Sequence, residues 1–333
     1  MHKLAGVQMI RAFAALLVLI GHVIAEAEYY FAVSMGLDFI PWTRGVDIFF
    51  VVSGFIITLS ITRYSGRPVD FLKRRALRVL PLYYVFTTLM VLVLIFFPNG
   101  PKETQFDLGQ ILSSYGFFPY PRADGRIAPI LSLGWTLNYE MFFYVLCAGS
   151  LLNRRPALVL SILIAAIVVL GTTNQFVAPH WIFWSNPIIL EFLFGVLIAK
   201  IYQAGWKKPC LPIAIGVFIG GLCLLVSLQA TGLPRFIAAG IPALLIVASG
   251  TLFYPPNLKG WQILGDASYA LYLSHRFVLR VMTILLVPIL PTSVFGVWGF
   301  VLCISTIAIA IAIVVHLWLE KPFLNPMQKR AFA

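Results

Sequence analysis

The chain has 333 residues, of which 60% are hydrophobic and only 11% charged, with a mean hydropathy of +0.93. Water-soluble domains are roughly 45–50% apolar and about 25% charged, so this composition excludes an ordinary soluble domain. The apolar runs last about 20 residues, the length of a membrane-crossing helix, and do not alternate as barrel strands would.

Taken in chain order, the apolar runs predict ten transmembrane helices, over 7–25, 46–62, 80–97, 132–152, 157–172, 183–203, 211–229, 235–253, 263–287 and 294–318. The expected fold is therefore an all-α, polytopic membrane bundle. It is read as one domain, 1–333, with no fused soluble domain. Its longest extramembrane pieces are an outer loop at 98–131 and a basic cytoplasmic loop at 63–79. The first run follows a Met-His-Lys start without a small-residue cleavage site, so it is read as a retained span.

An even number of spans puts both termini on one side. With that side cytoplasmic, the inner segments hold sixteen Lys and Arg, among them Lys3, Arg63, Arg67, Lys73, Arg154, Arg155, Lys200, Lys207, Lys208, Lys259, Lys321, Lys329 and Arg330. The outer segments hold five, Arg44, Lys102, Arg122, Arg126 and Arg235. This bias predicts an N-in, C-in orientation. It also accounts for the net charge of +12 as a topology signal, with no nucleic acid among the expected partners. The four cysteines stand singly and form no metal or redox motif. No internal repeat of the kind that builds many transporters is evident.

Ionisable groups inside spans are rare and mark functional candidates. Arg11 and His22 come first. Eleven residues turn a helix by about 1100°, three turns and about 20°, so both side chains share one face about 16 Å apart along the axis. Ala14, Ala15 and Val18 lie between them, small enough for close packing or for a cavity wall. Asp47 and Ser53 follow in the second span. Next comes the basic run FLKRRALRVLP, 71–81, where Arg75 and Arg78 lie on adjacent turns of one face with Arg74 beside them. These guanidinium groups suit phosphates, or else they set topology and meet anionic lipid.

Glu140, in SLGWTLNYEMFFY (132–144), stands near mid-membrane beside Trp135 and Tyr139. A lone carboxylate there needs a partner or a proton, and Arg276 or Arg280 offers an ion pair. In SYALYLSHRFVLR (268–280), Ser268, Tyr272 and His275 form a polar stripe at helical spacing. His275 reads either as a site residue or as a histidine satisfied within the bundle. Glu191 and His316 complete the set.

Phosphate-seeking arginines at the inner edge, with carboxylate and imidazole groups deeper, fit a transferase whose donor arrives from inside. They fit equally a proton-coupled transporter, or a flippase for an acyl, glycan or lipid species, in which His and Glu relay protons. A non-catalytic scaffold among polysaccharide-assembly proteins is a third reading.

The chain resembles the acyltransferase-3 family of membrane O-acyltransferases, and within it the exopolysaccharide acetyltransferases. Five motifs in order carry the likeness: Arg11 and His22 as R-x10-H; GVDIFFVVSGFI, 45–56; Arg75 and Arg78 as R-x-x-R; Trp135, Leu137 and Glu140 as W-x-L-x-x-E; and Ser268 to His275 as S-Y-x-x-Y-L-x-H. The resemblance implies a bacterial inner-membrane enzyme with no tightly bound cofactor. Its donor would be a cytoplasmic acyl-CoA, most often acetyl-CoA. Its acceptor would be a sugar hydroxyl of a polysaccharide or lipid-linked oligosaccharide, with membrane lipids and polysaccharide-assembly proteins as further partners. It implies Arg11, His22 and Glu140 as catalytic, with Arg11 helping to position the donor, His22 as general base or transient acyl carrier, and Glu140 orienting an imidazole or carrying a proton. It implies Arg74, Arg75 and Arg78 as donor-binding, and Trp135, Tyr139, Asp47, Ser53, Tyr272 and His275 as lining the acceptor cavity. A channel for the pantetheine arm is the simpler route to His22; an acyl relay through His275 is the alternative. Two departures stand out: Arg276 follows the late histidine, and no esterase-like domain is expected after the last span.

Overall fold

The computed structural model describes residues 4–97, 104–174, 176–206, 210–253 and 258–323. The charges Lys3, Lys102, Lys207, Lys208, Lys329 and Arg330, used above to orient the chain, lie outside the described residues. In order, the helices are α1 (Ala5–Phe31), α2 (Gly45–Ile61), α3 (Pro68–Phe96), α4 (Leu108–Tyr115), α5 (Trp135–Ser150), α6 (Pro156–Thr173), α7 (Pro179–Trp184), α8 (Glu191–Gln203), α9 (Leu211–Ser227), α10 (Arg235–Ala238), α11 (Gly240–Leu252), α12 (Lys259–Asp266), α13 (Ser268–Leu286) and α14 (Val294–Val315). Among the described residues the only β feature is a single bridge between Pro121 and Ile127. The protein is an all-helical, polytopic membrane protein.

Helices stand at all ten expected places. Eight are long and apolar enough to cross a membrane among the described residues. The other two, α5 and α9, are shorter, with 16 and 17 residues. Local chemistry sets several boundaries. Proline at the first turn starts α3, α6 and α7, where its missing N–H is not needed. Asp107 caps α4 by accepting from the Gln110 amide at 2.7 Å, and Ser293 caps α14 through the Gly296 amide.

Several expected boundaries move, the spans 183–203 and 235–253 each being broken into shorter helices. The basic segment 63–79, expected as a loop, is helical from Pro68 onward. Pro68 at N1, Asp70 in the first turn and straight-chain Leu, Lys and Arg all favour helix there. The expected span 263–287 is two helices, α12 and α13, parted at Ala267. The outer loop expected at 98–131 contains α4.

The chain forms two compact units, Met1–Val52 with Leu197–Leu319, and Ser53–Val196 with Glu320–Ala333. The division falls within α2.

In the first unit α1 is the hub, packed by α11, α12, α13 and α14. Its buried stripe Ala15, Leu19, Val23, Ala27 and Phe31 recurs every fourth residue. It meets Leu271, Val278 and Leu279 of α13 and Phe300, Ile304, Ala308 and Ala312 of α14, another fourth-residue row. Phe31 and Phe300 meet edge to face with ring centroids 5.3 Å apart. Close approach needs glycine at two points. A Cβ on Gly45 would run into the Ala14 carbonyl and Val18, and one on Gly265 into the Gln8 carbonyl. The small face between Arg11 and His22 is thus filled by the first turn of α2: of the two readings, close packing holds.

In the second unit α5 lies between α3 and α6. Phe143 of α5 stacks on Phe192 at 4.3 Å. Gly54 lets α2 approach the Phe192 carbonyl. Much of α6 faces outward with Leu158, Ile162, Val169 and Leu170 exposed, as a lipid-facing helix requires.

Candidate functional site

The sequence-selected residues fall into two groups, one in each unit. In the first unit α1 carries His22 and α13 carries His275. Their rings stack at 5.1 Å between centroids and 30° between planes, with His275 Nε2 3.1 Å from His22 Nδ1. His275 Nδ1 lies 2.9 Å from the Leu271 carbonyl one turn earlier. His275 is 1% exposed, and His22 is half-buried. The Tyr272 ring lies 6.2 Å from that of His275 and 6.3 Å from Phe49. Two residues 253 apart in sequence therefore form one imidazole pair, a contact that neither span alone could announce.

Arg11 is buried on α1 and donates to Gln8 Oε1 at 3.0 Å. Asp47, expected to line an acceptor cavity, is held by an arginine. It is 0% exposed, and its two oxygens receive Arg235 Nε at 2.8 Å and Nη2 at 2.9 Å. This bidentate fork satisfies a carboxylate that burial would otherwise penalise. In the sequence Arg235 reads only as an outer-side charge; no spacing rule links positions 188 apart. Arg280, considered as a partner for Glu140, donates to the Tyr30 hydroxyl at 2.6 Å.

In the second unit Glu140 Oε1 accepts from Ser53 Oγ at 3.0 Å and from the Tyr144 hydroxyl in a short bond. The carboxylate expected to need an ion pair or an imidazole thus meets two hydroxyl donors. Tyr144 went unselected, yet it stands four residues after Glu140 on the same helix face, a legible neighbour. Arg75 lies against Tyr144, its guanidinium carbon 6.0 Å from that ring and 5.4 Å from Phe71. Its Nη2 donates to Ser60 Oγ at 2.6 Å, and Ser60 passes the chain to the Ile57 carbonyl at 2.8 Å.

The three arginines expected to act together are therefore divided. Arg75 points inward, drawn by Ser60 and two aromatic faces, while Arg74 and Arg78 are exposed. Those two are one turn apart on α3 and share its outer side. Trp135 and Tyr139 meet edge to face at 5.9 Å. Tyr139 is buried and stacked on Phe183 at 3.9 Å, so one of its two faces is already covered. Among the described residues no three His, Cys, Asp or Glu side chains group as metal ligands.

Outside the spans, the turn carrying the Pro121–Ile127 bridge is fastened by Asp124. It accepts from the Arg126 amide at 3.1 Å and from its guanidinium at 2.7 Å. These bonds hold the Asp124 carboxyl below its usual range.

The family described as Acyltransferase domain matches residues 4–317. The chain is 35% identical over 267 residues to the exopolysaccharide production protein ExoZ of Rhizobium meliloti (strain 1021), covering 76% of this chain and 82% of that protein. It is 24% identical over 306 residues to the peptidoglycan O-acetyltransferase OatA of Listeria monocytogenes, covering 78% of this chain and 48% of that one. It is 26% identical over 275 residues to Nodulation protein 10 of Rhizobium leguminosarum bv. viciae, covering 72% of each. No solved structure matches the chain.

Proposed function

Because this chain belongs to the acyltransferase-3 family, we propose that the acyltransferase it forms is an O-acetyltransferase of the bacterial cytoplasmic membrane. It moves an acetyl group from acetyl-CoA to a hydroxyl of an exopolysaccharide sugar, on a nascent or lipid-linked chain. The names of two relatives, an exopolysaccharide production protein and a peptidoglycan O-acetyltransferase, support a glycan acceptor. The N-in, C-in orientation gives a cytoplasmic thioester access to the basic edge of α3.

The observation that carries the chemistry is the imidazole pair formed by half-buried His22 and buried His275. His22 acts as general base. It takes the proton of the sugar hydroxyl as the oxygen bonds to the thioester carbonyl carbon. The carbon–sulfur bond then breaks, and the departing CoA thiolate recovers that proton from His22, leaving an ester and a free thiol. Imidazole, with an ordinary pKa of about 6.5, suits both halves of this exchange at neutral pH. Arg11, on the same face of α1 but about 16 Å from His22 along the axis, helps to position the donor from the inner side. Glu140, held by Ser53 and Tyr144, is the second proton-handling group. Arg74 and Arg78, exposed on one side of α3, receive the CoA phosphates.

The test is transfer of labelled acetyl from acetyl-CoA by the purified protein in liposomes supplied with a lipid-linked glycan fraction. The reading predicts label on glycan, released by mild alkali as an ester demands. Uptake or flipping of glycan across the liposome membrane, driven by a proton gradient and without thiol release, is the outcome expected of a transporter and would exclude the transferase.

A further inference from the structure

We propose that His275 is a positioning residue that fixes His22 in the tautomer with hydrogen on Nδ1, leaving Nε2 of His22 as the atom that takes the acceptor proton. The inference rests on the reading of His22 as the base and names the atom that does the work.

The assignment follows from one group that has no choice. A peptide carbonyl only accepts, so the 2.9 Å contact to Leu271 places a hydrogen on His275 Nδ1. In neutral imidazole one ring nitrogen donates and the other accepts. His275 Nε2 is therefore a bare lone pair. The atom 3.1 Å away, His22 Nδ1, must then be the donor. His22 Nε2 is left unprotonated on the far side of its ring from this bond. The order carbonyl, imidazole, imidazole thus performs what carboxylate and imidazole perform in hydrolase triads: the outer group sets the tautomer and ring orientation of the inner one.

Two consequences follow. The base atom is Nε2, so an acceptor hydroxyl approaches His22 from the side away from His275. And when Nε2 takes its proton, the existing Nδ1–H bond becomes a charge-assisted bond to a ready acceptor, so the imidazolium is stabilised without any rearrangement. His275 touches no reacting atom; it acts through His22.

The experiment separates the acceptor atom of His275 from its bulk. In His275→Gln the side-chain oxygen reaches the place of Nε2 and accepts from His22. In His275→Asn the shorter amide reaches only the place of Nδ1. It can still donate to the Leu271 carbonyl but takes the His275 acceptor away, leaving the His22 ring only the Val18 carbonyl one turn earlier. Both variants are uncharged and polar, so folding affects them alike.

Protein labelled with ¹⁵N in its five histidines is read by NMR, the His22 signals being those lost in His22→Ala. The prediction is a protonated Nδ1 and an unprotonated Nε2 in wild type and His275→Gln, and a mixture of tautomers in His275→Asn. In the thiol-release assay kcat falls about a hundredfold in His275→Asn, the scale of a displaced general base, while KM for acetyl-CoA stays within about twofold and His275→Gln keeps activity within about tenfold of wild type. Hydrogen on His22 Nε2 in the wild type, or equal activity of the Asn and Gln variants, overturns the proposal. If the tautomer is as predicted but His22→Ala keeps full activity, the tautomer assignment stands and the reading of His22 as base falls.

Discussion

Removing Arg235 leaves Asp47 wholly buried with its fork gone. The wild-type carboxylate is 0% exposed and receives two charge-assisted bonds, at 2.8 and 2.9 Å. Arg235 itself is one-third exposed, so most of the desolvation falls on the aspartate. Breaking such a pair from one side is destabilising by about 3–5 kcal/mol, because the remaining charge has no compensation. Arg235→Ala should therefore unfold far more readily than wild type, by about two to nearly four orders of magnitude in the unfolding equilibrium, at about 1.4 kcal/mol per tenfold. Replacing both partners, Asp47→Leu with Arg235→Met, should recover most of the loss, since the buried charge disappears with its partner. Unfolding by SDS in mixed micelles, followed by helix content for wild type, Asp47→Leu, Arg235→Met and their double variant, with Arg235→Ala beside them, measures this. A near-neutral Arg235→Ala, or a double variant as unstable as the sum of the singles, would refute the argument. Asp47→Asn bears on function: a cavity-lining Asp47 would change the KM for acceptor when made Asn, whereas a structural Asp47 would change stability first.

Other outcomes follow from the same geometry. Tyr144→Phe removes one of the two hydroxyl donors to Glu140. Activity should fall about tenfold or more, the scale of about 1.5–3 kcal/mol for a hydrogen bond to a charged group, with KM for acetyl-CoA unmoved; an unchanged kcat would remove Glu140 from the mechanism. Arg74→Gln with Arg78→Gln should raise KM for acetyl-CoA more than for a dephosphorylated analogue, while Arg75→Gln, which breaks the bond to Ser60, should lower kcat or stability instead. The reverse pattern would mean that phosphates meet Arg75. Gly265→Ala should destabilise the packing of α12 on α1 by about 1–3 kcal/mol through overpacking, read as a lower midpoint in the SDS titration. The turn at Asp124 should hold above the ordinary aspartate value of 3.8 and loosen as pH falls through the lower folded value. Hydrogen-exchange protection of the Arg126 amide, compared with Asp124→Asn, reports it. Protection that persists in the Asn variant at every pH would show the carboxylate is not the clasp.

Much of the fold was readable because lipid imposes it. Apolar runs of helical length located every main helix, and the start of α3 at Pro68 follows rules that the basic charges had obscured: a run of Lys and Arg reads as loop, though each is a good helix former. The motif residues led to the right elements but not to their partners. The face shared by Arg11 and His22 followed from helical arithmetic, and Tyr144 beside Glu140 would have followed from the same arithmetic. The pairing of His22 with His275 and of Asp47 with Arg235 did not, since residues 253 and 188 positions apart meet only through packing of α1, α2, α10 and α13. The inward turn of Arg75 away from Arg78 was also hidden. Three residues on a helix differ by about 60° in direction, and which side of that angle is interior depends on Ser60 and Phe71.

The most direct test of the account is free-thiol release from acetyl-CoA by membranes carrying the wild-type protein and by membranes carrying His22→Ala at equal abundance, each with and without a lipid-linked glycan fraction. The account predicts release that the glycan stimulates in wild type and that disappears in the variant. Release that persists undiminished in His22→Ala, from protein shown to be folded by its helix content, would contradict the central role given to this histidine.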